Sequence, residues 1–410
     1  MNHFIKNINV NKLFHLNDFN IPIDDEKYPH LIITGKNGSG KTVLLNAVSD
    51  FLEKIKNDKN MSFVSCRKGL DYWQKFQATN DEDRMMQKEQ LEAFQNRVNS
   101  YFGKVEIEFN NVIDIIEKYN NDEFIIAFYQ ADRKVTMIEP INPTKPKINK
   151  RGKVKDTSTE QFLNFLSDLK IQEALARNEN QTQDADNIRA WFNEFEILLQ
   201  RIFEDKNLTL EFNYRDYSFR IKTGGKRFKF TEMSDGFAAV IDIVVDLILK
   251  MQSDKSLIRA YEKEGIVLID EIETHLHLGL QKIVMPMLTG IFPNIQFIIT
   301  THSPFVLSSM DNAVAFDLEH RQKISELTEY SYESLAEGYF GVNTISSYAQ
   351  MQLSKFKDLL SKDSLSESDK VTARLLYKEF GKIPELISPS LVGDYRQLIT
   401  QYAEKIKELQ

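Results

Sequence analysis

Residues Gly35-Lys36-Asn37-Gly38-Ser39-Gly40-Lys41-Thr42 follow the apolar run Leu31-Ile32-Ile33 and lead into Val43-Leu44-Leu45. The pattern G-x-x-x-x-G-K-[ST], entered by a short strand and left by a helix, describes a phosphate-binding loop. Leu44, Leu45, Val48, Phe51 and Leu52 fall at helical spacing and supply that helix. Glycines let the backbone approach phosphate oxygens and turn successive N–H groups inward, while the new helix directs its positive end at the same anion. Lys41 is then a mobile positive charge for the β and γ phosphates, and the Thr42 hydroxyl is the expected magnesium ligand.

Two later strands end in matching chemistry. Gly265-Ile266-Val267-Leu268-Ile269 reads as a strand buried on both faces, and it ends in Asp270-Glu271. One carboxylate there orients the metal or its waters, and its neighbour holds and deprotonates an attacking water. Gln296-Phe297-Ile298-Ile299 is a second buried strand, ending in Thr300-Thr301-His302-Ser303-Pro304. A neutral imidazole at His302 can sense the γ-phosphate and help place the water. Gln130 closes the apolar run Phe124–Tyr129, where its amide is placed to reach the metal or the water; the adjacent Asp132 and Arg133 are candidates to pair with each other. Strands separated by helices, each with reactive residues at its C-terminal end, predict an open α/β sheet with a ligand crevice. Glu273, His275 and His277 form a metal-like cluster, but magnesium prefers oxygen ligands and no further His or Cys cluster supports zinc. They are expected instead in the turn or helix after the acidic pair, near a subunit contact.

Composition narrows the setting. With 410 residues, 42 % hydrophobic and 27 % charged, the chain can bury a substantial core. No apolar run approaches the ~20 residues needed to cross a bilayer, and Met1–Val10 lacks the apolar core of a signal peptide, so a cytoplasmic location without a membrane partner is expected. The lone Cys66 is expected to be an ordinary thiol in a reducing compartment. A net charge of −8 does not favour whole-surface attraction to nucleic acid. One basic segment, Lys145, Lys147, Lys150, Arg151, Lys153 and Lys155, contains Pro143, Pro146 and Gly152 nearby and reads as a solvated loop, with an arm for nucleic acid or an acidic partner as the alternative.

The remaining pattern fills in the elements. Ile8 with Val10, and Phe19, Ile21 and Ile23, alternate as strands ahead of the loop. A polar, helix-prone stretch runs from about Asp58 to Arg97, and Val105, Ile107 and Phe109 form a strand. Phe162, Phe165, Leu166 and Leu169, then Trp191, Phe195 and Leu198, mark amphipathic helices whose aromatic stripes read as core. Leu208 to Ile221 alternates as a hairpin closed by Gly224-Gly225, and Phe237–Met251 is an apolar helix. From about Leu327 the chain is helical by pattern, with Tyr395, Leu398, Ile399, Tyr402, Ile406 and Leu409 on one face of a terminal helix.

Taken in order, Gly35–Thr42, Glu232-Met233-Ser234-Asp235-Gly236-Phe237, Val267–Glu273 and Thr300–Pro304 resemble the ABC-type ATPase head. More narrowly, the set resembles the AAA-family group typified by the overcoming-lysogenization-defect (OLD) proteins and by ATPase subunits of anti-phage systems such as Septu and PARIS. The resemblance implies an α/β fold: an ABC-type P-loop ATPase head with a mixed central sheet, an antiparallel β-subdomain, a helical insertion and a helical C-terminal tail. It divides the chain into an ATPase domain over 1–325, with a helical and basic-loop insertion at about 58–205, and a helical region over 326–410. It implies ATP and Mg2+ as ligands, nucleotide contacts along Gly35, Lys36, Asn37, Gly38, Ser39, Gly40, Lys41 and Thr42, and Gln130 as the glutamine-loop residue near the metal. Asp270 is implied as the metal-orienting acid, Glu271 as the catalytic base and His302 as the switch histidine.

Ser234 and Gly236 match the signature loop, which in ABC-type heads reaches the ATP held by a second subunit, so a head-to-tail homodimer or higher homo-oligomer is implied. A Ser and a Gly at a helix start do offer a hydroxyl, an N–H and a dipole to an anion; an ordinary helix cap by Ser234 is the alternative. Two departures stand out: Asp235 replaces the commonest glycine, and the tail from Leu327 has no Glu followed by an Asp-x-Asp cluster, so nuclease activity is not expected in this chain. The expected function is ATP hydrolysis that switches an assembly, in an anti-phage system with a separate nuclease or toxin effector. The rivals are a DNA-repair or chromosome-associated ATPase and an ATP-gated scaffold with little turnover. Only roughly 190 residues separate Thr42 from Met233, too few for a long coiled-coil arm among several strands.

Overall fold

A computed structural model describes residues 3–23, 29–58, 62–133, 137–146, 152–252, 262–324, 347–362, 364–383 and 389–409. The chain divides into two compact units, Met1–Tyr332 and Glu333–Gln410.

The first unit opens with strands β1 (Ile5–Leu13), β2 (Leu16–Pro22) and β3 (His30–Thr34), then helix α1 (Lys41–Asn57). Helices α2 (Ser62–Lys75) and α3 (Asp81–Phe102) form a hairpin, followed by β4 (Val105–Phe109), α4 (Val112–Asn120) and β5 (Phe124–Tyr129). Two amphipathic helices, α5 (Phe162–Asn178) and α6 (Thr182–Ile202), precede strands β6 (Thr209–Asn213), β7 (Ser218–Thr223) and β8 (Lys226–Lys229). Helix α7 (Asp235–Met251) leads to β9 (Glu264–Ile269), α8 (Leu278–Ile291), β10 (Ile295–Thr300), the short α9 (Pro304–Leu307), β11 (Ala313–Asp317) and β12 (Gln322–Ile324).

The central sheet has the order β12-β11-β3-β10-β9-β5. Its five inner and edge strands β11, β3, β10, β9 and β5 run parallel, and only β12 is antiparallel. Every residue of β3, β5 and β10 is buried, as a parallel sheet covered on both faces requires. β2-β1-β4 and β6-β7-β8 are separate antiparallel sheets. This is the mixed sheet with an antiparallel subdomain expected of an ABC-type head. Gln296, wholly buried in β10, joins β1 to the central sheet: its Oε1 accepts from Ile5 N–H at 2.8 Å and its Nε2 donates to the carbonyls of Ile5 and Pro29 at 3.0 Å.

α1 forms where its sequence repeats apolar residues every three to four positions. Leu44, Leu45, Val48, Phe51, Leu52 and Ile55 all face one core with β1, β3, β4 and β5. Each such burial contributes about 1.5–3 kcal/mol, so the phosphate loop stands on a helix fixed by several side chains. The α2–α3 hairpin is different, since only Cys66 and Phe102 of its two helices are buried.

Two sequence expectations need correction. Strands β11 and β12 beyond His302 were not foreseen, and they complete the sheet on the far side of β3. The single terminal helix is two helices in the second unit: after α10 (Ser347–Ser361) and α11 (Glu367–Phe380), α12 (Pro389–Gln401) ends before Tyr402 and α13 (Ala403–Leu409) follows. The break lets Tyr395, Leu398 and Ile406 enter one small core with Phe356, Leu360 and Phe380. Lys147, Lys150 and Arg151 of the basic segment lie outside the described residues, as does 325–346 of the chain after β12.

Candidate nucleotide site

Because the central strands are parallel, all their C-terminal ends lie along one edge, and register aligns them closely. Thr300 pairs with Ile33, Ile299 with Ile269, and Tyr129 with Ile269. The segments that follow β3, β5, β9 and β10 therefore emerge side by side.

The loop after β3 takes conformations that its glycines permit. Gly35, Gly38 and Gly40 have φ of +136°, +83° and +98°. A Cβ on Gly40 would stand 2.9 Å from Leu16 Cδ1, and one on Gly35 3.0 Å from Ser39 Oγ. Lys36, Asn37 and Gly38 are exposed, and so is Thr42 in the first turn of α1. α1 begins without a side-chain cap and without an acidic residue in its first turn, which leaves its leading amides to an anion. Ser39 Oγ is buried and, among the described residues, has no hydrogen-bond partner. A buried donor left so in a loop of inward-turned amides fits a phosphate oxygen.

Lys41 is buried, and its Nζ donates to the carbonyls of Gly35 (2.8 Å) and Lys36 (3.1 Å). Burial lowers its pKa, and the carboxylates of Glu271, Glu273, Asp270 and Asp317 act in the opposite sense. The ammonium thus lies within the field of the strand-end acids.

Asp270, 2 % exposed, accepts from Thr300 Oγ1 at 2.6 Å through Oδ1, and the same Thr300 oxygen accepts from Glu271 N–H at 2.8 Å. Glu271 has φ of +44°, a left-handed backbone uncommon outside glycine. Glu273 bonds the next strand end: its carboxylate accepts from His302 N–H and from Thr301 Oγ1 (2.8 Å). Burial raises the Glu273 pKa. His302 is half-buried, and burial together with the Lys41 charge lowers its pKa against the pull of Asp270. Its ring is therefore neutral at pH 7, able to donate and accept.

Gln130 follows β5 with its side chain exposed. Arg133 does not bond Asp132: its Nη1 donates to the carbonyls of Gln130 (3.2 Å) and Asp270 (3.1 Å). Ser234 occupies the cap position of α7, but its hydroxyl makes no capping bond and its side chain is exposed. Gly236 lies so close to the turn after the acidic pair that a Cβ would stand 2.9 Å from His275 O. Phe237 meets the His277 ring edge-on at 6.0 Å. His277 caps α8 with Nδ1 accepting from Leu280 N–H, and His275 is exposed at φ +67°. Among the described residues no hydrogen bond joins Ser234 or Gly236 to the loop 35–42 of the same chain.

Three neighbours of the loop were missed from sequence. His15, in the β1–β2 turn, places Nε2 3.1 Å from Ser39 O, beside Phe14, which is 82 % exposed at φ +55°. Glu319, after β11, pairs with Lys36 at 2.9 Å. Asp317, wholly buried, accepts from the amides of Glu319 and His320 and bonds His320 Nδ1 at 2.6 Å. No local sequence pattern marks these residues, since each reaches the loop only through the tertiary fold.

A family model described as AAA_21, an AAA domain, putative AbiEii toxin, type IV TA system, matches residues 31–308, from β3 through α9. The chain belongs to this family. It is 26 % identical over 303 residues to the Septu protein PtuA of Bacillus mycoides (strain KBAB4), covering 73 % of this chain and 38 % of that protein. It therefore spans well under half of that relative. It is also 25 % identical over 406 residues to the retron Vc95 probable ATPase of Vibrio cholerae serotype O1 biovar El Tor, covering 79 % of this chain and 74 % of that one. Among solved structures, an Smc head bound to the C-terminal winged-helix domain of ScpA aligns at 12 % identity with a TM-score of 0.42, covering 80 % of this chain and 100 % of that one.

Proposed function

We propose that the chain binds ATP with magnesium and hydrolyses it, and that the nucleotide cycle switches a dimeric or higher assembly controlling a separate effector in an anti-phage system. The observation that carries the hydrolytic part is the alignment of the β3, β10 and β9 ends, which sets Lys41 in the electrostatic field of Asp270, Glu271 and Glu273. Thr42 and Asp270, with Gln130 at the margin, offer the oxygen ligands a hard cation prefers, and a magnesium ion held there would offset phosphate charge. Gly35 to Gly40 present amides to the phosphates, and Lys41 exchanges its two carbonyl partners for phosphate oxygens. Glu271 accepts a proton from the attacking water as that oxygen bonds the γ-phosphorus and the β–γ bridge breaks. The neutral His302 orients the same water, held in place by the bond of its amide to Glu273.

The free hydroxyl of Ser234 favours contact with a second subunit's nucleotide over an ordinary cap. The relatives named for Septu and retron systems support the defence assignment. Helix α3, at 22 residues and about 33 Å, is short for a chromosome-associated arm. Replacing Glu271→Gln is expected to slow phosphate release roughly tenfold or more while nucleotide still binds. Unchanged turnover in that variant would remove Glu271 from the chemistry.

A further inference from the structure

Helix α7 is apolar along most of its length, yet it buries two carboxylates one turn apart, Asp242 and Asp246. Asp246 is fully engaged: it accepts from Tyr129 OH (2.7 Å), Ser158 N–H (2.6 Å) and Lys250 Nζ (2.7 Å). That fastens α7 to the last residue of β5. Asp242 is buried on the same helix, and burial pushes its pKa up to about 6.

Arg133 is half-buried, and among the described residues its buried Nε has no hydrogen-bond partner. A buried donor without an acceptor is costly unless its position is useful. Its Nη1 bonds Asp270 O at 3.1 Å, while Asp270 N–H donates to Tyr129 O at 2.8 Å. The backbone of Asp270 is thus held on both sides by the end of β5. The peptide so fixed is the one that enters Glu271, whose left-handed backbone needs its neighbours to keep it there.

We propose that Arg133 is a positioning residue that clamps the Asp270–Glu271 peptide in the setting the hydrolytic carboxylate needs. The proposal rests on Glu271 being the catalytic base. Arg133 acts on Glu271 through the Asp270 carbonyl, without any change at the phosphate loop.

The test uses the full chain with Arg133→Gln and Arg133→Lys. In nucleotide-free protein, amide exchange at 271–272 is expected to rise roughly tenfold in Arg133→Gln while amides of β9 stay protected. In hydrolysis, kcat is expected to fall roughly tenfold with KM changed by less than about threefold, and Arg133→Lys, which keeps one donor and the charge, should recover part of the loss. Unaltered exchange at 271–272, or a rise in KM instead of a fall in kcat, would each overturn the proposal. Equal hydrolysis by the Glu271→Gln variant would instead remove the reading on which it rests.

Discussion

His30 shows how burial alone sets a residue's chemistry. It begins β3, is almost inaccessible, and its Nδ1 accepts from Phe297 N–H at 3.1 Å. Burial lowers its pKa from 6.5 to about 4. The unfolded chain takes up this proton near pH 6.5 and the folded chain only near 4, so the unfolded state gains as pH falls through that window. Stability should be level above pH 7 and drop by about 2 kcal/mol by pH 5 from this residue. Urea midpoints at the two pH values, compared with those of His30→Gln, would check this; equal pH slopes in both proteins would refute it. His302, also lowered by burial, contributes in the same direction. At this scale the sequence supplied residue types and the fold supplied their state: Lys41 in the field of four carboxylates, the buried Ser39 Oγ and Glu271 in a left-handed turn are invisible in a string of letters.

Helix α7 carries the clearest element-scale lesson. Its apolar run from Phe237 to Met251 was legible as a buried helix, but Asp246 within it binds Tyr129 of β5 and Ser158, residues distant in sequence. Asp246→Ala would leave the Tyr129 hydroxyl, the Ser158 amide and the Lys250 ammonium without their shared acceptor. The expected loss is about 3–5 kcal/mol, read from the urea midpoint, because the Tyr129 hydroxyl and the Ser158 amide stay buried and unpaired, while Lys250 keeps its bond to Asp156 O. A loss under about 1 kcal/mol would show that water reaches the site and substitutes for the carboxylate. The strand β11 was not legible for another reason. Ala313-Val314-Ala315-Phe316-Asp317 is short and rich in alanine, with little strand preference of its own, and it extends only because the open edge of β3 pairs with it. The break at Tyr402 is similar: the apolar face was correctly seen, but packing on Phe356 and Phe380 divides it between two helices.

For the whole molecule, among the described residues no hydrogen bond joins the phosphate loop to the start of α7 in the same chain. If heads associate around nucleotide, Glu271→Gln with ATP should double the solution mass of the unaltered nucleotide-free protein. Adding Ser234→Arg should abolish the increase while leaving nucleotide binding by the single chain, as measured by light scattering and by nucleotide titration. One mass under all conditions would refute the shared site. No helix among the described residues is long and apolar enough to cross a membrane. The net charge of −8 directs attention to protein partners ahead of nucleic acid.

By itself the sequence determined the elements whose patterning is local: the glycine-lysine loop, the helix that leaves it, and the buried strands ending in Gln130, Asp270 and His302. Each is written in contiguous residues, so periodicity and composition suffice. Only the tertiary structure decided what those ends share. Parallel pairing of β3, β10 and β9 sets Lys41 in the field of Asp270 and Glu271, joins Glu273 to His302, and brings Arg133 of the β5 end onto the Asp270 carbonyl. Those relations link residues from 29 positions apart, as with Glu273 and His302, to more than a hundred, through strand register and burial, and no local pattern encodes them.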